Sequence, residues 1–134
     1  MTAPTAARPA SAVLSDVELR AQLERTKRQA EKDLAQERLA VADAPSFIYA
    51  AEWNVKAGVV AETKIRIASV ALGVAPERMR AALAYVIGTE LNASGTSSDA
   101  FTNAVAAARV GAAKSFLRSV YGEVDAAELL SHLV

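Results

Sequence analysis

Few residues in this chain could do covalent or metal chemistry. There is one histidine, His132, and no cysteine. A Ser/His/Asp triad or a histidine metal site needs the imidazole held in a cleft by fixed partners. His132 follows a Leu-rich terminal segment, where an exposed or interface imidazole is the expectation. Lack of cysteine excludes disulfides, thiolate catalysis, zinc–thiolate sites and iron–sulfur clusters. Di-iron helical bundles pair glutamates with a Glu-x-x-His unit, and no such unit occurs. Glu52, Glu62 and Glu90 read instead as solvated charges, with Glu52/Lys56 and Glu62/Arg66 spaced as i,i+4 pairs. Trp53 reads as a core or interface anchor. No glycine-rich phosphate loop is present. The expectation is a protein without catalytic residues, cofactor or bound metal.

The most specific local pattern spans Ala68 to Leu83, ASVALGVAPERMRAAL. A small residue, then Leu-Gly-Val, a short turn, and Met79 and Leu83 as core positions of a following helix resemble the helix-turn-helix of DNA-binding regulators. The resemblance covers 16 of 134 residues. It implies that Arg78 and Arg80 face the DNA, with Lys64 and Arg66 near phosphates. Two features depart from that pattern. The second helix continues as Ala81 to Gly88, which offers base edges no polar side chain beyond Tyr85. Lys56 to Arg80 carries only five basic residues against two acidic ones. An αα-hairpin that uses Gly73 and Pro76 in its turn is the favoured reading, and DNA binding through residues 65–83 is the alternative.

The elements that would position these residues are helices. Hydrophobic residues make up 52% of the chain, much of it alanine, and aromatics only 5%, which favours helix over strand. Ser15-Asp16-Val17-Glu18 spells a capping box, so a helix should run from there to about Ala42. Seven acidic and six basic residues crowd Ser15–Asp43. Leu19, Leu23, Ala30, Leu34 and Val41 recur at spacings of 4, 7, 4 and 7, a nearly straight stripe. That stripe is too narrow for a helix sunk in a core. The helix either lies on a bundle by one edge or pairs with another copy, with Leu19, Leu23, Leu34 and Val41 as the expected interface.

Pro45 should end this helix and Ser46 cap the next. That one should run from Phe47 to Leu72, with Phe47, Ala50, Ala57, Ala61, Ile65, Ala68 and Leu72 on one face and Gly73 as a left-handed cap. Pro76 suits a helix start, and Met79, Leu83, Val86, Ile87 and Leu91 carry a third helix to Asn92. NASGTSS, Asn92 to Ser98, reads as a loop. A fourth helix should follow from Phe101 to Tyr121, closed by Gly122, and Asp125 to Glu128 spells a second capping box for a short last helix.

Lys+Arg and Asp+Glu both total 15, so no overall field steers the chain to nucleic acid or anionic lipid, and self-association meets little repulsion. No apolar run approaches a membrane span. Residues 1–13 lack the pattern of a secretory signal and read as a flexible arm. The expectation is therefore all-α: an arm over 1–13 and one five-helix bundle over 14–134. It would be a non-catalytic assembly protein working through helix–helix contacts, as a homo-oligomer or with other protein subunits. The expected location is the cytoplasm or a virion, as in a phage capsid or head–tail connector subunit.

Overall fold

The computed structural model describes residues 14–43, 48–92 and 100–133, without the side chains of 40–43, 48–56, 100–101, 123–124 and 132–133. The expected arm over 1–13, the Pro45–Ser46 junction, the helix start at Ser98-Asp99 and nearly all of the NASGTSS loop lie outside the described residues. So do the side chains of Val41, Glu52, Trp53, Asn54, Lys56 and His132. Among the described residues the chain is all helix: α1 (Asp16–Asp43), α2 (Ile48–Leu72), a 3₁₀ turn (Pro76–Arg78), α3 (Met79–Leu91), α4 (Ala100–Tyr121) and α5 (Glu123–Leu133).

The start of α1 is set locally. The Glu18 amide donates to the Ser15 hydroxyl at 3.1 Å, and the Ser15 amide donates back to Glu18 Oε1 at 3.3 Å. These reciprocal bonds are the expected capping box, and they satisfy two amides that helix geometry leaves without partners. The same end is tied to α3. Arg80 donates to the Leu14 carbonyl and pairs with Asp16 at 3.3 Å. Arg80 also lies near Tyr121, whose phenol is pushed up by burial against the opposing pull of the Arg80 charge.

The core gathers Leu19 and Leu23 of α1, Ile67, Ala68 and Ala71 of α2, and Met79, Leu83, Val86 and Ile87 of α3. Ala113, Phe116, Leu117 and Val120 of α4 complete it with Ala126 of α5. Helix α2 is central, packing against α1, α3 and α4. That position explains why its buried set is broader than one stripe. Ala61 and Ala68 are buried as the seam requires, but so are Thr63, Ile67 and Ala71. The apolar run Ala81–Gly88 is not buried throughout. Leu83, Val86 and Ile87 face inward, while Ala81, Ala84 and Tyr85 stay exposed, because a helix at one edge of a bundle covers one face only.

Two turns differ from the sequence expectation. Gly73 is not left-handed; among the described residues Gly122 alone has positive φ, at 86°. A Cβ at Gly73 would approach the Ser69 carbonyl to 3.0 Å, so a side chain there would crowd that carbonyl. The chain then leaves through extended Ala75 into the Pro76 turn, without a left-handed reversal. At the α4 end, Gly122 does supply the left-handed reversal, which D-like geometry only glycine adopts cheaply. The Gly122 amide closes α4 on the Arg118 carbonyl at 2.9 Å, and its carbonyl accepts from Ala126 at 2.9 Å. Helix α5 therefore restarts at Glu123, and Asp125 lies inside it instead of capping it.

Candidate functional site

The expected interface stripe divides along α1. Leu19 and Leu23 are fully buried in the chain's own core, and Ala30 is buried with them. In this conformation Leu19 and Leu23 present nothing to a partner, because they are packed into the core with residues of α2, α3, α4 and α5. From Glu31 to Leu39 no residue is buried. Leu34 is partly covered, and Leu39, off the stripe, is 67% exposed. Arg20 pairs with Glu24 at 3.3 Å along the exposed edge. Gln29 donates to Asp33 at 3.0 Å. These bonds stay within α1 and fasten it to nothing else.

Of the four basic residues implied by the helix-turn-helix resemblance, three have different surroundings. Lys64 joins Gln22, Thr26, Asp33 and Ser119 around a groove of about 250 Å³ beside α1. Arg66 turns the other way, toward α3 and α4, and Arg80 is engaged with the start of α1. Arg78, on the 3₁₀ turn, is exposed. Lys64 and Arg66 line two different pockets.

A buried ion cluster is the feature that composition and spacing left unread. Glu90 is 2% exposed, not solvated. Its Oε1 accepts from Arg66 Nε at 2.9 Å and pairs with Arg66 Nη2 at 2.8 Å. Its Oε2 accepts from Arg109 Nε at 2.7 Å. Arg66 therefore bypasses its i,i+4 neighbour Glu62 and reaches across to α3. A buried carboxylate without a partner is costly, whereas Glu62 is already hydrated. Burial pushes the Glu90 carboxyl up, but hydrogen bonds from Arg109 and Arg66, together with their charges, outweigh it and hold the carboxyl below its usual value. The signal was available in the sequence. Glu90 follows Val86 by four and Ile87 by three, on the inward seam of α3.

Over this cluster lies a pocket of about 320 Å³ between α2 and α4, lined by Val59, Glu62, Thr63, Arg66, Val105 and Arg109. Thr63 is buried, and its hydroxyl accepts from Arg66 Nη2 at 3.4 Å. Glu90 itself does not line the pocket. The pocket offers oriented guanidinium groups and a hydroxyl. Among the described residues no three His, Asp or Glu side chains gather to hold a metal ion. No described helix is long and apolar enough to cross a membrane. No family model, curated protein or solved structure matches the chain.

Proposed function

We propose that this chain is a non-catalytic assembly protein that joins copies of itself through helix–helix contact. The observation that carries this reading is the outer half of α1. An amphipathic helix is stabilised in a protein mainly by burying its apolar face, yet no residue of 31–39 is fully buried within the chain, and only Asp33, Leu34 and Glu37 are partly covered. Leu34 and Leu39 are what that half can offer a second helix. Its charges are mixed, with Glu31, Asp33 and Glu37 beside Lys32 and Arg38, so a second copy meets complementary partners as readily as like ones. Zero formal net charge leaves little long-range repulsion against such pairing. A capsid or head–tail connector subunit of a virion is one concrete role for a chain of this kind.

Sedimentation velocity over a wide concentration range tests the proposal. The wild type should form a discrete oligomer, and Leu34→Asp with Leu39→Asp should return it to monomer with its helical circular dichroism intact. A wild type that stays monomeric at the highest concentration would overturn self-association.

A further inference from the structure

We propose that the pocket between α2 and α4 binds the oxyanion group, carboxylate or phosphate, of a small ligand. Two guanidinium groups converge on the single Glu90 carboxylate, each within 3 Å of one of its oxygens. One arginine would satisfy that carboxylate bidentately. The second holds two like charges close together and exceeds the charge of Glu90 by one, an excess that the exposed Glu62 carboxylate on the pocket wall offsets from the solvent side. An oxyanion bridging both arginines from the pocket side removes that repulsion.

The donors for such an ion are in place. A guanidinium carries five N–H groups. Glu90 takes the Nε edge of Arg109 and the Nε and Nη2 groups of Arg66. Among the described residues, Arg66 Nη1 and both terminal nitrogens of Arg109 make no hydrogen bond. Both side chains reach solvent, at 46% and 36% exposure, so an ion can arrive from outside. Glu90 stands behind them as the group that fixes their orientation, so little ordering remains to be done on binding. Thr63 adds a hydroxyl proton that no described acceptor takes. Val59 and Val105 form apolar walls suited to a short carbon chain bearing the anion. Glu62 is the opposing element: its carboxylate lines the same pocket and weakens anion binding.

Titration of the ¹⁵N-labelled full chain, following the arginine Nε–H resonances, tests this. Inorganic phosphate and acetate are added in separate series at ionic strength held constant with chloride. The Arg66 and Arg109 signals should shift and saturate. Tighter phosphate binding assigns a tetrahedral group to the pocket, and tighter acetate binding a planar carboxylate. Arg109→Lys keeps the charge but loses the fork and should weaken binding at least about tenfold. Glu62→Gln should tighten it, and Arg78→Gln, on the exposed turn, should leave it unchanged. Thr63→Val, which alters no charge, should weaken binding should Arg109→Lys prove unfolded. Unsaturable shifts in both series, or equal weakening by Arg78→Gln, would overturn the proposal.

Discussion

The two halves of α1 have similar compositions and different situations. Residues 16–30 and residues 31–43 are both dense in charge, with a sparse set of apolar positions. The first half is capped by Ser15 and Glu18, held by Arg80 and anchored by Leu19, Leu23 and Ala30. The second half has partly covered Leu34 and exposed Leu39, and none of its described side chains is buried. The contrast shows that apolar spacing alone does not decide which part of a helix is core. The partner decides it. Leu19 and Leu23 join the core formed with α2, α3, α4 and α5, and no described residue of the outer half belongs to it.

The largest expected effect comes from the anchored half. Leu23→Ala removes a fully buried side chain and should cost about 3 kcal/mol, within the range for buried leucine truncations. Urea unfolding followed by circular dichroism measures it. Leu34→Ala, one stripe position into the outer half, should cost far less. Equal costs at the two positions would erase the distinction between the halves.

Second in size is the buried ion cluster. Glu90→Ala leaves Arg66 and Arg109 facing each other, at a cost of about 2–3 kcal/mol. That is below the figure for a fully buried broken pair, because both arginines can rehydrate. A pH dependence accompanies it. The folded-state Glu90 carboxyl lies below its usual 4.5, so its contribution is fully present above the unfolded value. The contribution fades as pH falls through the lower folded value. Wild-type stability should therefore drop below about pH 4.5, and Glu90→Gln should flatten part of that drop. A volume-matched Glu90→Met should lose less than Glu90→Ala, since apolar packing can replace a buried ion pair.

Third is the cap. Ser15→Ala removes the acceptor for the Glu18 amide and should cost about 1 kcal/mol, measurable by the same unfolding experiment. The effect should fall on the anchored half alone, leaving amide exchange in residues 31–39 unchanged.

The helices themselves were legible in the sequence because their determinants are local. The Ser15–Glu18 box, Pro76 at a turn start and Gly122 after α4 each act within a few residues of themselves. The inward set of α3 followed from spacing alone. What stayed hidden depended on which helices become neighbours. Glu62 and Arg66 are one turn apart, but Arg66 has a buried carboxylate to satisfy 24 residues away. Arg109 lies 19 residues beyond Glu90, and nothing near it in sequence calls for a cation. The α1 stripe looks uniform in sequence for the same reason, since spacing along one helix cannot tell where its neighbours cover it. Gly73 shows the converse: what favours glycine there is a carbonyl 3.0 Å from a Cβ position, not a positive φ.

The smallest effect on stability, and the one that bears on function, belongs to Leu39. At 67% exposure it makes little contact within the chain, so Leu39→Lys should change the unfolding free energy by less than about 0.5 kcal/mol. Its effect on association should be much larger. In a helix pair an exposed leucine becomes a buried knob, and a lysine there must either lose its hydration or hold the helices apart. Hydrogen exchange provides the independent reading. In dilute monomer, amides of residues 31–39 should exchange through local opening, well before those of residues 19–30, because few buried contacts hold them. At concentrations where the chain associates, the outer amides of the wild type should gain protection and those of Leu39→Lys should not. Protection equal in both halves at every concentration would mean that the outer half is already held within one chain. The contrast along α1 would then carry no docking surface.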